Sequence, residues 1–160
     1  MRLIIWILLI ICFVISIYAF FMTFVFKLYF ARTQEEISKV QKMIRINESF
    51  NKWLELKQNN YRLKGYFENN NYKSVAIYGM GDLGKRLFRE LADDGVVVSY
   101  TIDKNIGVDD KYKMIALSER LPEVDVVIVT AVSSFDDIYL DLKGRFNGEI
   151  VSIEDVLWSV

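Results

Sequence analysis

The chain has 160 residues, room for one ordinary domain and an accessory segment, and its net charge of −1 gives no reason to expect nucleic-acid binding. It has no histidine and a single cysteine, Cys12. That removes the commonest general base, forbids an intrachain disulfide and argues against a zinc site.

From the amino terminus, Leu3 to Phe26 is 24 residues without a charge, long enough at about 1.5 Å per residue to cross a hydrocarbon core roughly 30 Å thick. The run is too long for a signal-peptide core, and no small-residue cleavage site follows it. Residues 1–31 therefore read as a permanent transmembrane anchor. Trp6 near one end and Tyr29 and Phe30 near the other suit interfacial aromatic belts. Only Arg2 and the amino terminus precede the span, whereas Lys27, Arg32, Lys39, Lys42 and Arg45 follow it. This positive-inside bias predicts a single-pass protein of the inner (cytoplasmic) membrane with its carboxyl-terminal domain in the cytoplasm.

Residues 32–72 read as a helical linker. Thr33-Gln34-Glu35-Glu36 has the form of a capping box and predicts a helix from Gln34 to Lys57. Ile37, Val40 and Ile44 make one apolar stripe along it, short for a coiled-coil seam but a candidate homodimer contact. Met43, Ile46, Phe50, Trp53 and Leu54 make a second, expected to pack on the globular domain. Gln58-Asn59-Asn60 breaks this helix, Tyr61 to Asn69 offers a short amphipathic piece, and Asn69-Asn70-Asn71 turns into the first strand.

Residues 73–160 carry the chemistry. Val75 to Tyr78 is an apolar strand that runs into Gly79-Met80-Gly81-Asp82-Leu83-Gly84, a G-x-G-x-x-G turn opening a helix from Leu83 to Asp94. In such a turn the first glycine lets the chain leave the strand sharply. The second lets backbone N–H groups approach a pyrophosphate, and the third lets helix pack on strand. A second apolar run, Val96 to Ile102, ends in Asp103, 19 residues beyond Gly84. That is about where a dinucleotide fold places the acid that accepts from an adenosine ribose, and it favours NAD or a nucleotide sugar over NADP. The alternative is a strand-end aspartate capping a turn.

Lys104 to Gly107 reads as a turn, Lys113 to Ala116 as a short third strand, and Ser118 to Pro122 as a connection. Asp125 to Thr130 is a continuous branched run typical of a buried parallel strand. A helix capped by Ser133 or Ser134 reaches Phe146 with Phe135, Ile138, Leu142 and Phe146 inward. Glu149 to Ile153 is the fifth strand and Glu154 to Trp158 a terminal helical turn. Strands alternating with helices predict an α/β fold, a five-stranded parallel Rossmann-like sheet ordered 3-2-1-4-5. The crevice would open between strands one and four, lined by Gly79, Met80, Gly81, Asp82, Leu83, Gly84, Asp103, Thr130 and Ala131, and onward to Ser133.

No residue is assigned a catalytic role and none a metal. Tyr139 and Lys143 match the Y-x-x-x-K pair of short-chain dehydrogenases, but the motif comes one unit too early and lacks its upstream serine, so an amphipathic surface helix is the better reading. Lys85 and Arg86 in the glycine-loop helix either accompany a phosphate or reach solvent. Asp82 adds negative charge to the same loop.

Ala76 to Gly84, Tyr100 to Asn105 and Val124 to Thr130 together resemble the small Rossmann modules of bacterial polysaccharide-biosynthesis proteins. Such modules precede the catalytic domain of membrane-anchored nucleotide-sugar dehydratases and are appended to glycosyltransferases. The resemblance covers about Lys73 to Val160, and the catalytic epimerase-like domain has no counterpart. It implies cofactor contact at Gly79, Gly81, Gly84 and Asp103, and an enzyme partner in surface-polysaccharide synthesis. The expectation is a non-catalytic accessory or regulatory module binding NAD or a nucleotide sugar. Its rivals are an oxidoreductase or sugar-nucleotide modifier completed by a partner chain, and an interaction module with a vestigial glycine loop.

Overall fold

The computed structural model describes residues 1–103, 112–117 and 121–159. The turn expected at residues 104–107 and most of the connection expected at residues 118–122 lie outside them. The chain divides into two compact units, Met1–Gln41 and Lys42–Val160.

The first unit is helix from Arg2 onward, the leading part of α1 (Arg2–Gln58). Its apolar window is long enough to cross a membrane and none of it is buried. The helix break expected before Gln34 does not occur. Thr33 sits inside α1, and its hydroxyl donates to the Tyr29 carbonyl at 3.0 Å. The T-x-x-E pattern caps a helix only when the threonine itself leaves helical geometry, and nothing upstream forces that. The first glycine of the chain is Gly65 and its one proline is Pro122.

The second unit is α/β. The last turns of α1 and α2 (Lys64–Asn69) lead into β1 (Val75–Tyr78), α3 (Asp82–Asp93), β2 (Val98–Ile102), β3 (Met114–Ile115) and β4 (Val126–Val129). A 3-10 turn (Val132–Ser134), α4 (Phe135–Lys143), β5 (Glu149–Ser152) and α5 (Ile153–Trp158) complete it. All pairings are parallel and the order is β3-β2-β1-β4-β5, as expected. β1 lies at the centre, Val75 opposite both Val98 and Val126.

Period-two alternation sorts the strand residues into two cores. Val75, Ile77, Val126 and Ile128 face a layer built from Trp53 and Leu56 of α1, Phe67 of α2, Leu83, Leu87 and Leu91 of α3, and Val156 and Leu157 of α5. Ala76, Tyr78, Val127 and Val129 face Ile138 and Leu142 of α4, with Phe146. The strand order runs one way from β1 to β3 and the other way from β4 to β5. Crossovers of a single hand must then place α3 and α4 on opposite faces, which is where they lie. Covering on both faces explains why β1 and β4 are apolar at every position and buried throughout.

Trp53 packs in the core as expected, 6% exposed, whereas Met43 and Leu54 of the same stripe stay exposed. Its indole N–H donates to Glu90 of α3 at 2.6 Å, and Lys57 closes on the same carboxylate at 2.5 Å. Beneath the sheet, one Asp125 carboxylate oxygen accepts the Lys73 and Ser74 N–H groups, each at 2.7 Å, and so ties the entry of β1 to that of β4. α5 carries the reciprocal cap that Thr33 lacks: the Ser152 hydroxyl accepts from the Glu154 N–H, and Asp155 accepts from the Ser152 N–H.

Candidate functional site

The carboxyl ends of β1, β2 and β4 bring together Gly79–Gly84, Asp103 and Thr130–Ala131, as the strand order requires. Gly79 leaves β1 at φ +94°, a backbone region that L side chains rarely adopt, while its N–H donates to the Ile102 carbonyl of β2 at 2.8 Å. Gly81 is the residue before α3, extended at φ −68° and ψ −164°, and a Cβ there would meet nothing within 4 Å. Gly84 is the opposite case. A Cβ there would stand 1.9 Å from the Gly79 carbonyl oxygen and 3.1 Å from the Thr130 hydroxyl. The three glycines thus serve a sharp turn, an open surface and a close approach of helix to turn, the division of labour expected from their spacing.

No side chain caps α3 among the described residues, so the N–H groups of its first turn, Asp82 to Gly84, are the ones a helix leaves without intrahelical partners. Asp82 and Gly81 are exposed. Met80 and Leu83 are 6% and 4% exposed, their side chains in the core beside α3. These two can therefore offer a ligand only backbone.

Asp103 is half-buried at the end of β2, and its Oδ2 accepts the Met80 N–H at 2.6 Å. This bond anchors the glycine turn from the end of β2, the contact that the turn-capping reading of Asp103 expects. Thr130, at the end of β4, is 6% exposed. Its N–H donates to the Tyr78 carbonyl at 2.9 Å, and its hydroxyl lies 2.5 Å from the Gly79 carbonyl and 3.1 Å from that of Tyr78. Ala131 is half-buried beside it, its backbone nitrogen 3.5 Å from where a Gly79 Cβ would be. Ser133 and Ser134 are exposed; Ser134 stands at the N-cap of α4, but among the described residues its side chain makes no capping hydrogen bond. Burial, reinforced by the Asp141 and Asp103 carboxylates, holds the Tyr78 phenol above its usual pKa, so it stays a neutral hydroxyl.

The Arg86 guanidinium stacks over the Phe50 ring, 5.2 Å from its centroid, so it faces α1. Lys85 is exposed. On α4 the Lys143 ammonium lies 5.5 Å from the Tyr139 ring centroid, a cation–π contact along one helix face. A hollow of about 570 Å³ between the end of α1 and α3 was not foreseen. Phe50, Trp53, Lys57, Arg86 and Glu90 line it. Its signal in the sequence was the pairing of an aromatic stripe in one helix with alternating charges at helical spacing in another.

Comparison with protein-family models, with curated proteins and with solved structures found no match to this chain.

Proposed function

We propose that the chain is a membrane-anchored, Rossmann-like module that binds a dinucleotide or nucleotide sugar, a non-catalytic accessory or regulatory protein in the synthesis of cell-surface polysaccharide. One observation carries the binding half. Gly79 at positive φ, Gly84 against the Gly79 carbonyl and an unobstructed Gly81 put the start of α3 where a pyrophosphate can meet bare N–H groups. Asp103 stands at the next strand end, within hydrogen-bonding distance of that turn. The setting in polysaccharide synthesis rests on the sequence resemblance.

The long apolar window of α1 supports a single membrane span. The basic residues that follow it favour a cytoplasmic carboxyl-terminal domain in the inner membrane. Nucleotides are cytosolic ligands, which agrees.

Thermal-shift titration of the full chain in lipid nanodiscs with NAD, NADP, UDP-glucose and S-adenosylmethionine tests the reading. Stabilisation by NAD or UDP-glucose that is lost in Gly81→Val and kept in Tyr139→Phe is the expected result. No shift with any of the four refutes nucleotide binding. Turnover that disappears in Tyr139→Phe refutes the non-catalytic half.

A further inference from the structure

The Gly79 carbonyl and the Met80 N–H are the two ends of one peptide group. Each end is held by a side chain from a different strand. Thr130, from the end of β4, reaches the oxygen at 2.5 Å, and Asp103, from the end of β2, takes the N–H at 2.6 Å. The oxygen is also enclosed, since it sits where a Gly84 Cβ would be, 1.9 Å away. A single peptide plane at the centre of the sheet is thus gripped from both flanks and covered by the first turn of α3.

Orientation of that plane decides what the loop shows a ligand. Gly79 at φ +94° has no Cβ to bias the peptide from its side, so the two hydrogen bonds act with the close packing of α3 to hold it. Turned as observed, the carbonyl is directed at Thr130 and α3, and an approaching anion meets no carbonyl oxygen from this peptide. Rotated the other way, the same oxygen would face the anion and oppose it. We propose that Thr130 is a positioning residue for the nucleotide site: its hydroxyl pins the Gly79–Met80 peptide with the carbonyl inward, and so makes the loop selective for phosphate. The residue is almost wholly buried and acts through the loop. This inference rests on the nucleotide reading for its ligand, but the pin itself is a property of the ligand-free protein.

The experiment separates the two. Full-length Thr130→Ala removes the donor, and Thr130→Ser restores it without the methyl group. Amide hydrogen exchange is followed by mass spectrometry on ligand-free protein in nanodiscs, with peptides from β4 and β5 as the internal reference. Affinity for NAD and UDP-glucose is measured in parallel. The pin predicts exchange of the Gly79 and Met80 amides, which are hydrogen-bonded in the wild type, roughly tenfold faster in Thr130→Ala, an unchanged reference, and near wild-type exchange in Thr130→Ser. Nucleotide affinity should fall about five- to tenfold in Thr130→Ala and recover in Thr130→Ser, the scale of one hydrogen bond. If the alanine variant does not fold, Thr130→Val is read in its place.

Equal exchange and equal affinity in the alanine and serine variants overturn the proposal. So does acceleration in the reference peptides to the same degree, because it marks global destabilisation. Localised acceleration in Thr130→Ala with no binding of either nucleotide by the wild type upholds the pin and refutes the nucleotide reading alone.

Discussion

Gly84→Ala tests the packing of α3 on the glycine turn. In an ordinary helix this substitution stabilises by about 1 kcal/mol, because alanine gives up less backbone entropy. Here the added Cβ would lie 1.9 Å from the Gly79 oxygen, and Cβ atoms essentially never come under 3.0 Å. Helix and turn must therefore separate by at least about 1.1 Å. The obstacle is backbone, so no side chain can rotate away. The oxygen is also the acceptor of the Thr130 hydroxyl, so moving it strains a second contact. Overpacking costs roughly 1–3 kcal/mol and a weakened hydrogen bond about 1 more, against the gain in propensity. The net expectation is a loss of about 2 kcal/mol. Urea titration of the micelle-embedded full chain reads it as a midpoint lowered by roughly 1–2 M. Tryptophan emission is a suitable probe, since Trp53 is 6% exposed while Trp6 and Trp158 are 67% and 51% exposed. Gly81→Ala is the control: it meets nothing within 4 Å and should shift the midpoint by no more than the equivalent of about 0.5 kcal/mol. A Gly84→Ala midpoint at or above wild type would refute the close-approach argument.

Gly65→Ala, near the start of α2 with nothing within 4 Å of the new Cβ, should raise stability by about 0.5 kcal/mol in the same titration. Trp53→Phe keeps an aromatic ring but removes the donor to Glu90, whose side chain is 9% exposed, and should cost about 1–2 kcal/mol. The hydrogen bonds from Ser74 and Lys73 hold the Asp125 carboxyl below its usual pKa. Its stabilising contribution is therefore full above the unfolded-state pKa and lost as pH falls through the lower folded value. Asp125→Asn should flatten the acid limb of a melting-temperature profile between pH 6 and 2.5, and an unaltered limb would count against the tie. Burial pushes the Tyr100 phenol up to about 12, and its hydroxyl donates to the Pro122 carbonyl at 2.7 Å. Because the folded value is raised, stability should fall as pH climbs from about 10 to about 12, and Tyr100→Phe should lose that slope.

Strand order was legible in the sequence because it follows from a few strong signals. An unbroken apolar run at Val75 to Tyr78 and an unbroken branched run at Val126 to Val129 admit little except a sheet covered on both faces. The glycine turn between β1 and α3 fixed where the first crossover begins. Helix α1 was misread for the converse reason: Thr33 to Glu36 is a local pattern, and only an interruption upstream makes it a helix start. At Ser152 the same chemistry does operate, because a strand precedes it. Within the site, spacing located the glycines and Asp103 but not what holds them. The contacts of Asp103 with the Met80 N–H and of Thr130 with the Gly79 carbonyl join residues 23 and 51 positions apart. Neither follows from a pattern confined to one stretch of chain. Arg86 was placed on the right helix, but its stacking on Phe50 depends on how α1 and α3 meet.

The central place of β1 has a consequence for how the protein is made. Val75 pairs with Val126, 51 residues later. At about 5–20 residues per second, a ribosome needs roughly 3–10 s to deliver that partner. Throughout the delay the wholly apolar central strand has one flank without its mate. A chain arrested before Val126 should therefore be caught by chaperones and cut by proteases far more readily than one released after Val129, when β1 can close on both sides.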